Sequence, residues 1–236
     1  MSEGKRRSIH NNILAKMQYR NTKGIKMKNK VITVLAIIAA AFVILLTQFG
    51  PIGLLMWDSF NAKVEEYSDI DEYNRFMGEN ADEEHRDKWG MDESIFPVSI
   101  TEDMNVQDYK MVYYNPWDAQ YLSYLVVQYD EKQYEAETTR LREYASTDYE
   151  GIYGATGFDE KYELLAMYAD DYQGFVYALT DKQDTIIYVE LIFCNYFFDL
   201  DYQKYIKEEY LPIGFDATLN NPYEEKMREK QDDSLF

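Results

Sequence analysis

Across residues 31–57 the chain carries no charged residue, and this gap constrains its architecture more than any other feature. Residues 31–50 alone (VITVLAIIAAAFVILLTQFG) supply about 20 residues, which as a helix would rise about 30 Å, the depth of a bilayer's hydrocarbon core. Twelve of them are Leu, Ile, Val or Phe. At roughly −0.3 to −0.6 kcal/mol each, they favour insertion by about 4–7 kcal/mol before Gln48 and the small residues reduce it. A core helix is the competing reading, but core helices rarely run this long without a charge. The expectation is therefore a transmembrane helix, with Trp57 as an interfacial anchor.

Charge sets the expected orientation. Residues 1–30 hold nine Lys or Arg against Glu3 alone, a net of +8. The remainder holds 24 − 9 = 15 basic and 43 − 1 = 42 acidic residues, a net of −27. Basic flanks stay on the cytoplasmic side, so the N-terminus is expected inside and the acidic part outside. The apolar run exceeds that of a cleavable signal, and Ala39, Ala40 and Ala41 lie inside it rather than after it. With Cys194 as the single cysteine, a lipoprotein signal and an intramolecular disulfide are both excluded. A disulfide-free exported domain on a signal anchor suits a bacterial, particularly Gram-positive, envelope.

Five regions follow. Residues 1–30 form a basic cytoplasmic stub and 31–57 a signal anchor. Residues 58–93 read as an amphipathic helix, from about Asp58 to Phe76 with Phe60, Val64, Tyr67, Ile70, Tyr73 and Phe76 on one face, and then an acidic linker. Residues 94–215 form the extracytoplasmic domain, and 216–236 a polar tail. Within the domain, strands are expected at 110–114, 120–129, 162–168, 174–179 and 185–193, with helices at 130–145 and 201–210. Residues 120–129 are apolar on both alternating faces, which predicts a central strand covered on both sides. Asp130 supplies an N-cap. The order β-β-α-β-β-β-α predicts an α+β fold with a largely antiparallel sheet and helices on one face.

Few chemistries have the residues they need. His10, His85 and Cys194 make no zinc-ligand spacing. Asp69 with Asp71, and Asp199 with Asp201, lack the other ligands of a calcium loop. Cys194 lies in an apolar run and reads as an inert buried thiol, and His85, in an acidic stretch, as solvated. Gly151, Gly154 and Gly157 sit among acids that would repel a phosphate, and read as a connecting loop. No catalytic, cofactor or metal residue is named on these grounds, and no cofactor is expected. The acidic domain argues against nucleic acid as a partner. Tyrosine, 23 of 236 residues, is in excess and has two readings: cross-strand packing or a tyrosine-lined recognition surface.

The resulting expectation is a single-pass cell-membrane protein whose outer domain binds a protein or peptide partner without catalysis. A carboxylate-dependent envelope hydrolase and a structural subunit of a membrane complex are the alternatives. The topology is directly testable. Protease added to intact cells or spheroplasts should remove residues 58–236 from a chain that keeps its N-terminal anchor. Full protection, or a mature N-terminus beyond Gly50, would contradict it.

Overall fold

A computed structural model describes residues 62–78 and 80–233. The basic stub and the charge-free run lie outside the described residues, as does the start of the expected amphipathic helix. Among the described residues no helix is long and apolar enough to cross a membrane.

The strands arise where β-branched and aromatic residues concentrate. They are β1 (Glu65–Tyr67), β2 (Asn105–Tyr114), β3 (Gln120–Gln128), β4 (Glu163–Asp170), β5 (Gly174–Thr180) and β6 (Thr185–Ile192). Together they form one antiparallel sheet in the order β1-β2-β3-β6-β5-β4. Among the described residues three α-helices accompany it: α1 (Tyr73–Phe76), α2 (Glu131–Arg142) and α3 (Pro222–Asp233). The fold is α+β, as the residue pattern implies. After β3 the chain crosses through α2 to the far edge, enters β4, and returns by two tight hairpins to place β6 beside β3. β3 is central, and its residues 120–127 are all buried.

Aspartates shape both hairpins. The Asp170 carboxylate accepts from the Tyr172 and Gln173 amides before β5. Asp181 does the same for Gln183, Asp184 and Thr185 before β6. α2 opens on a capping box: Asp130 accepts from the Gln133 amide, and the Gln133 side chain accepts from the Asp130 amide. The outer edge of β4 is blunted rather than open. Thr147 donates to the Met167 carbonyl, and the Ser146 and Thr147 hydroxyls take the Met167 and Ala169 amides.

Several expectations are corrected. Residues 58–76 were expected to be one helix, but their described part is helical only at α1 and a 3-10 turn at Ile70–Glu72. Glu65–Tyr67 instead pairs with residues 111–113 of β2, because an open sheet edge offers backbone partners that a lone helix face lacks. The acidic stretch 78–93 is no solvated linker: Ala81, His85, Lys88 and Met91 are buried. Residues 201–210 form two short 3-10 turns rather than a helix. The last helix is α3, in the stretch read as a polar tail, with Tyr223 and Met227 packed on the core.

Helices lie on both faces, not one. Residues 73–96 and α2 cover one face, through Tyr73, Phe76, Ile95 and Leu141. Residues 149–162 and the chain after β6 cover the other, through Tyr153, Tyr202, Tyr210 and Phe215. One glycine sets a tight tolerance. Gly174 opens β5 at φ +109°, and a Cβ there would stand 2.0 Å from the Leu191 carbonyl oxygen. Gly174→Ala should destabilise the domain by about 3 kcal/mol or more in urea unfolding, since both backbone strain and a clash oppose it. An unchanged midpoint would contradict this packing.

Candidate functional site

The unusual chemistry of the domain lies under the segment that reads as a linker. After a 3-10 turn at Glu83–His85, the chain passes through Trp89 (φ +59°) and Gly90 (φ +75°). The Asp87 carboxylate accepts the Gly90 amide, and the Trp89 indole donates to the Ala119 carbonyl at 2.8 Å, pinning the turn to the β2–β3 connection. This turn sends Lys88 inward, where its side chain is fully buried.

Three elements meet the ammonium. From β6, Glu190 Oε1 lies 2.7 Å from Nζ. From the 3-10 turn Glu93–Ile95, the Glu93 carboxylate makes the second ion pair. From β3, the Tyr121 ring lies beneath Nζ at 4.7 Å from its centroid, and the Ser123 hydroxyl donates to Glu190 Oε2 at 2.8 Å. Ser123 and Glu190 are register partners on adjacent strands, so the sheet itself sets their spacing. Met77 Sδ completes the shell at 3.5 Å from Nζ.

The electrostatics follow from two acids sharing one base. Burial lowers the Lys88 pKa, but Glu190 and Glu93 more than offset that, and the group stays charged. Burial pushes the Glu93 carboxyl up to about 8, and the Glu190 charge adds to it against the opposing pull of Lys88. At neutral pH Glu93 is therefore mostly protonated, while Lys88 stays charged. Glu93 is the member that reaches water. It is 15% exposed and lines a pocket of about 440 Å³ with Gly78, Arg86, Met91, Ser94 and Pro97.

His85, expected to be solvated, is 1% exposed. Its ring stacks on Phe76 at 4.5 Å, and Nδ1 lies 3.2 Å from the Tyr121 hydroxyl. Burial lowers its pKa, so the imidazole is neutral at physiological pH.

The remaining candidates fall elsewhere. Cys194 sits half-buried just past β6, not inside a strand, in a turn whose Asn195 and Tyr196 both have positive φ. Burial raises its thiol pKa, which disfavours the nucleophilic thiolate. The glycine-rich loop is an ordered turn around buried Tyr153, and Gly154 faces Gly214 so closely that a Cβ would stand 2.6 Å from its carbonyl oxygen. Asp69 accepts from the Asp71 amide, and Asp199 binds the Gln120 amide group at 2.6 Å. Among the described residues no group of three or more His, Cys, Asp or Glu is placed to hold a metal.

The tyrosines resolve toward packing: none of the described ones is fully exposed. Buried hydroxyls donate to loop carbonyls, Tyr177 to Tyr210 at 2.8 Å, Tyr153 to Asp171 at 3.0 Å and Tyr202 to Phe215 at 3.2 Å.

Another open pocket, of about 660 Å³, is lined by Asp159, Glu208 and Glu209. Acid–base hydrolysis needs one carboxyl held protonated beside another that is ionised. Among the described residues the carboxyls shifted upward are Glu93 and Asp199, and neither lines this pocket. Its Glu209 pairs with Lys161, which lowers the Glu209 pKa.

Comparison with protein-family models, curated proteins and solved structures returns no match.

The cluster was not foreseen from the residues, although Glu190 was visible as the single charge in an apolar strand. Alternation places it on the same face as Tyr188 and Ile192. Lys88→Met should cost about 3–5 kcal/mol in urea unfolding, because it strands two buried carboxyls. Glu93→Gln should cost about 1 kcal/mol or less, since the amide resembles the protonated acid. Equal losses for the two variants would contradict this charge assignment.

Proposed function

We propose that the chain is a single-pass membrane protein of a bacterial envelope, whose acidic outer domain binds a protein or peptide partner and performs no chemistry. The anchoring half rests on the charge-free run of residues 31–57 and the change from +8 to −27 across it. The observation that carries the non-catalytic half is the closure of Glu93 and Glu190 on a buried lysine. A hydrolase needs two carboxyls facing a substrate cleft, whereas these two face Lys88.

Partner contact is better supported at the β2–β3 turn than at any tyrosine. Trp117 in the Asn115-Pro116-Trp117-Asp118 turn is 64% exposed, with an acid beside it. Tryptophan is among the residue types enriched at the anchoring positions of protein interfaces. The charge of the domain favours a cationic partner and would act mainly on the encounter, because exposed charges are screened over about 8 Å at physiological salt.

The test is retention of envelope proteins by the outer domain at low and physiological salt. A specific partner should be retained, and Trp117→Ala should weaken it by about 1–2 kcal/mol, through faster dissociation. Added salt should slow association and leave dissociation nearly unchanged. Retention of nothing, together with cleavage of a wall-derived glycan, would replace this reading with the hydrolase.

A further inference from the structure

We propose that Lys88, Glu93 and Glu190 form a proton-dependent latch. While Glu93 carries a proton, the cluster clamps residues 81–93 to the sheet; loss of that proton frees the segment while the sheet stays folded.

Stoichiometry is the first ground. Two carboxyls meet one ammonium where the Lys88 and Glu190 side chains are 0% exposed. With one proton the cluster is neutral. Without it, one net negative charge is left in an interior that cannot solvate it.

Asymmetry is the second ground. Glu190 sits mid-strand in β6, laddered to both β3 and β5, with Ser123 donating to it. Glu93 opens a single 3-10 turn and borders the 440 Å³ pocket. It is the member that can turn out to water, where its charge is solvated.

The released segment has natural limits. On its C-terminal side, Arg140 of α2 donates to the Ser94 and Ile95 carbonyls, both at 2.8 Å, and is held by Glu137. On its N-terminal side, α1 is seated through buried Tyr73 and Phe76. Between them the regular structure is one 3-10 turn, Glu83–His85.

The tyrosines, His85, Lys88 and Asp92 around it leave Glu93 as the member that titrates. From β2 and β3, Tyr109 and Tyr121 stay neutral because burial raises them; so does Tyr73 of α1. His85 is neutral and Lys88 charged. Beside Glu93, Asp92 is ionised, its carboxylate accepting from the Ser94 amide and the Tyr144 hydroxyl.

The sign follows by linkage. Glu93 titrates near its ordinary 4.5 when released and near 8 when latched, so the latched form holds the extra proton. Opening should therefore rise by about tenfold per pH unit between about 5 and 8 and level off above. His85 acts in the opposite direction and only below about 6.5, where release lets it take a proton.

Hydrogen exchange on the full-length chain in detergent micelles, from pH 5.5 to 9 and corrected for intrinsic rates, tests the latch. Amides of residues 81–93 should be less protected than those of β3 and β6. Above about pH 6.5, where His85 no longer opposes it, their protection should fall by about tenfold per pH unit and flatten above about pH 8. Glu93→Gln should abolish the slope and keep the segment protected at pH 9. Glu190→Gln, which leaves Lys88 and Glu93 as a neutral pair, should abolish it as well. A slope that survives both substitutions, or exchange of 81–93 and the sheet at one common rate, would overturn the proposal.

Discussion

Both faces of the sheet are buried, yet little of what buries them is regular structure, and the rest of the architecture answers that constraint. A helix pairs its own backbone groups and a strand pairs with its neighbours, whereas an irregular segment laid against a sheet brings carbonyls that must find donors elsewhere. Tyrosine solves this with one side chain: the ring fills the core and the hydroxyl reaches a loop carbonyl. Tyr177 and Tyr202 do this beneath the C-terminal cover, and Tyr73 holds the Pro97 carbonyl on the opposite face. The tyrosine excess is thus the chemistry of a loop-covered sheet. Rings also pack on one another, as where Tyr153 meets Phe175, Phe193, Phe215 and Tyr223.

The Lys88 cluster addresses the same problem with ions. A buried ion pair adds little net stability compared with apolar packing, because desolvation consumes most of the attraction. Its effect is on register. Glu190 is fixed by its place in β6, and Lys88 can reach it only if the turn at Trp89 and Gly90 docks in one position. A slipped segment would bury an unpaired charge. With the chain's one cysteine left free, such pairing does for residues 81–93 part of what a crosslink does in disulfide-bonded domains.

The proposed function and the latch are compatible in physical terms. If the domain is held outside the membrane, as proposed, it meets the pH of the medium. Binding at Trp117 would draw on a different part of the surface, the β2–β3 turn. The two are nevertheless joined at one point, since the Trp89 indole that seats the latch turn bonds the Ala119 carbonyl two residues beyond Trp117.

What local pattern can encode was readable before any coordinates. The five long strands follow from β-rich runs of alternating residues, the Asp130 cap announced α2, and double-sided apolarity marked β3 as central. The lone Glu190 on an apolar face is a signal of the same kind. Other features depend on partners far along the chain. Nothing in residues 78–93 distinguishes a solvated acidic linker from a buried segment, because the difference lies in Glu190, Ser123 and Tyr121, which only folding brings to Lys88. The same holds for β1, which exists because β2 has an open edge, and for α3, whose polar sequence becomes a packed helix where Tyr223 and Met227 meet the core. Periodicity reports which side of an element faces inward. It is silent on which polar groups will find one another there, and that pairing, set by long-range contacts, decided the site.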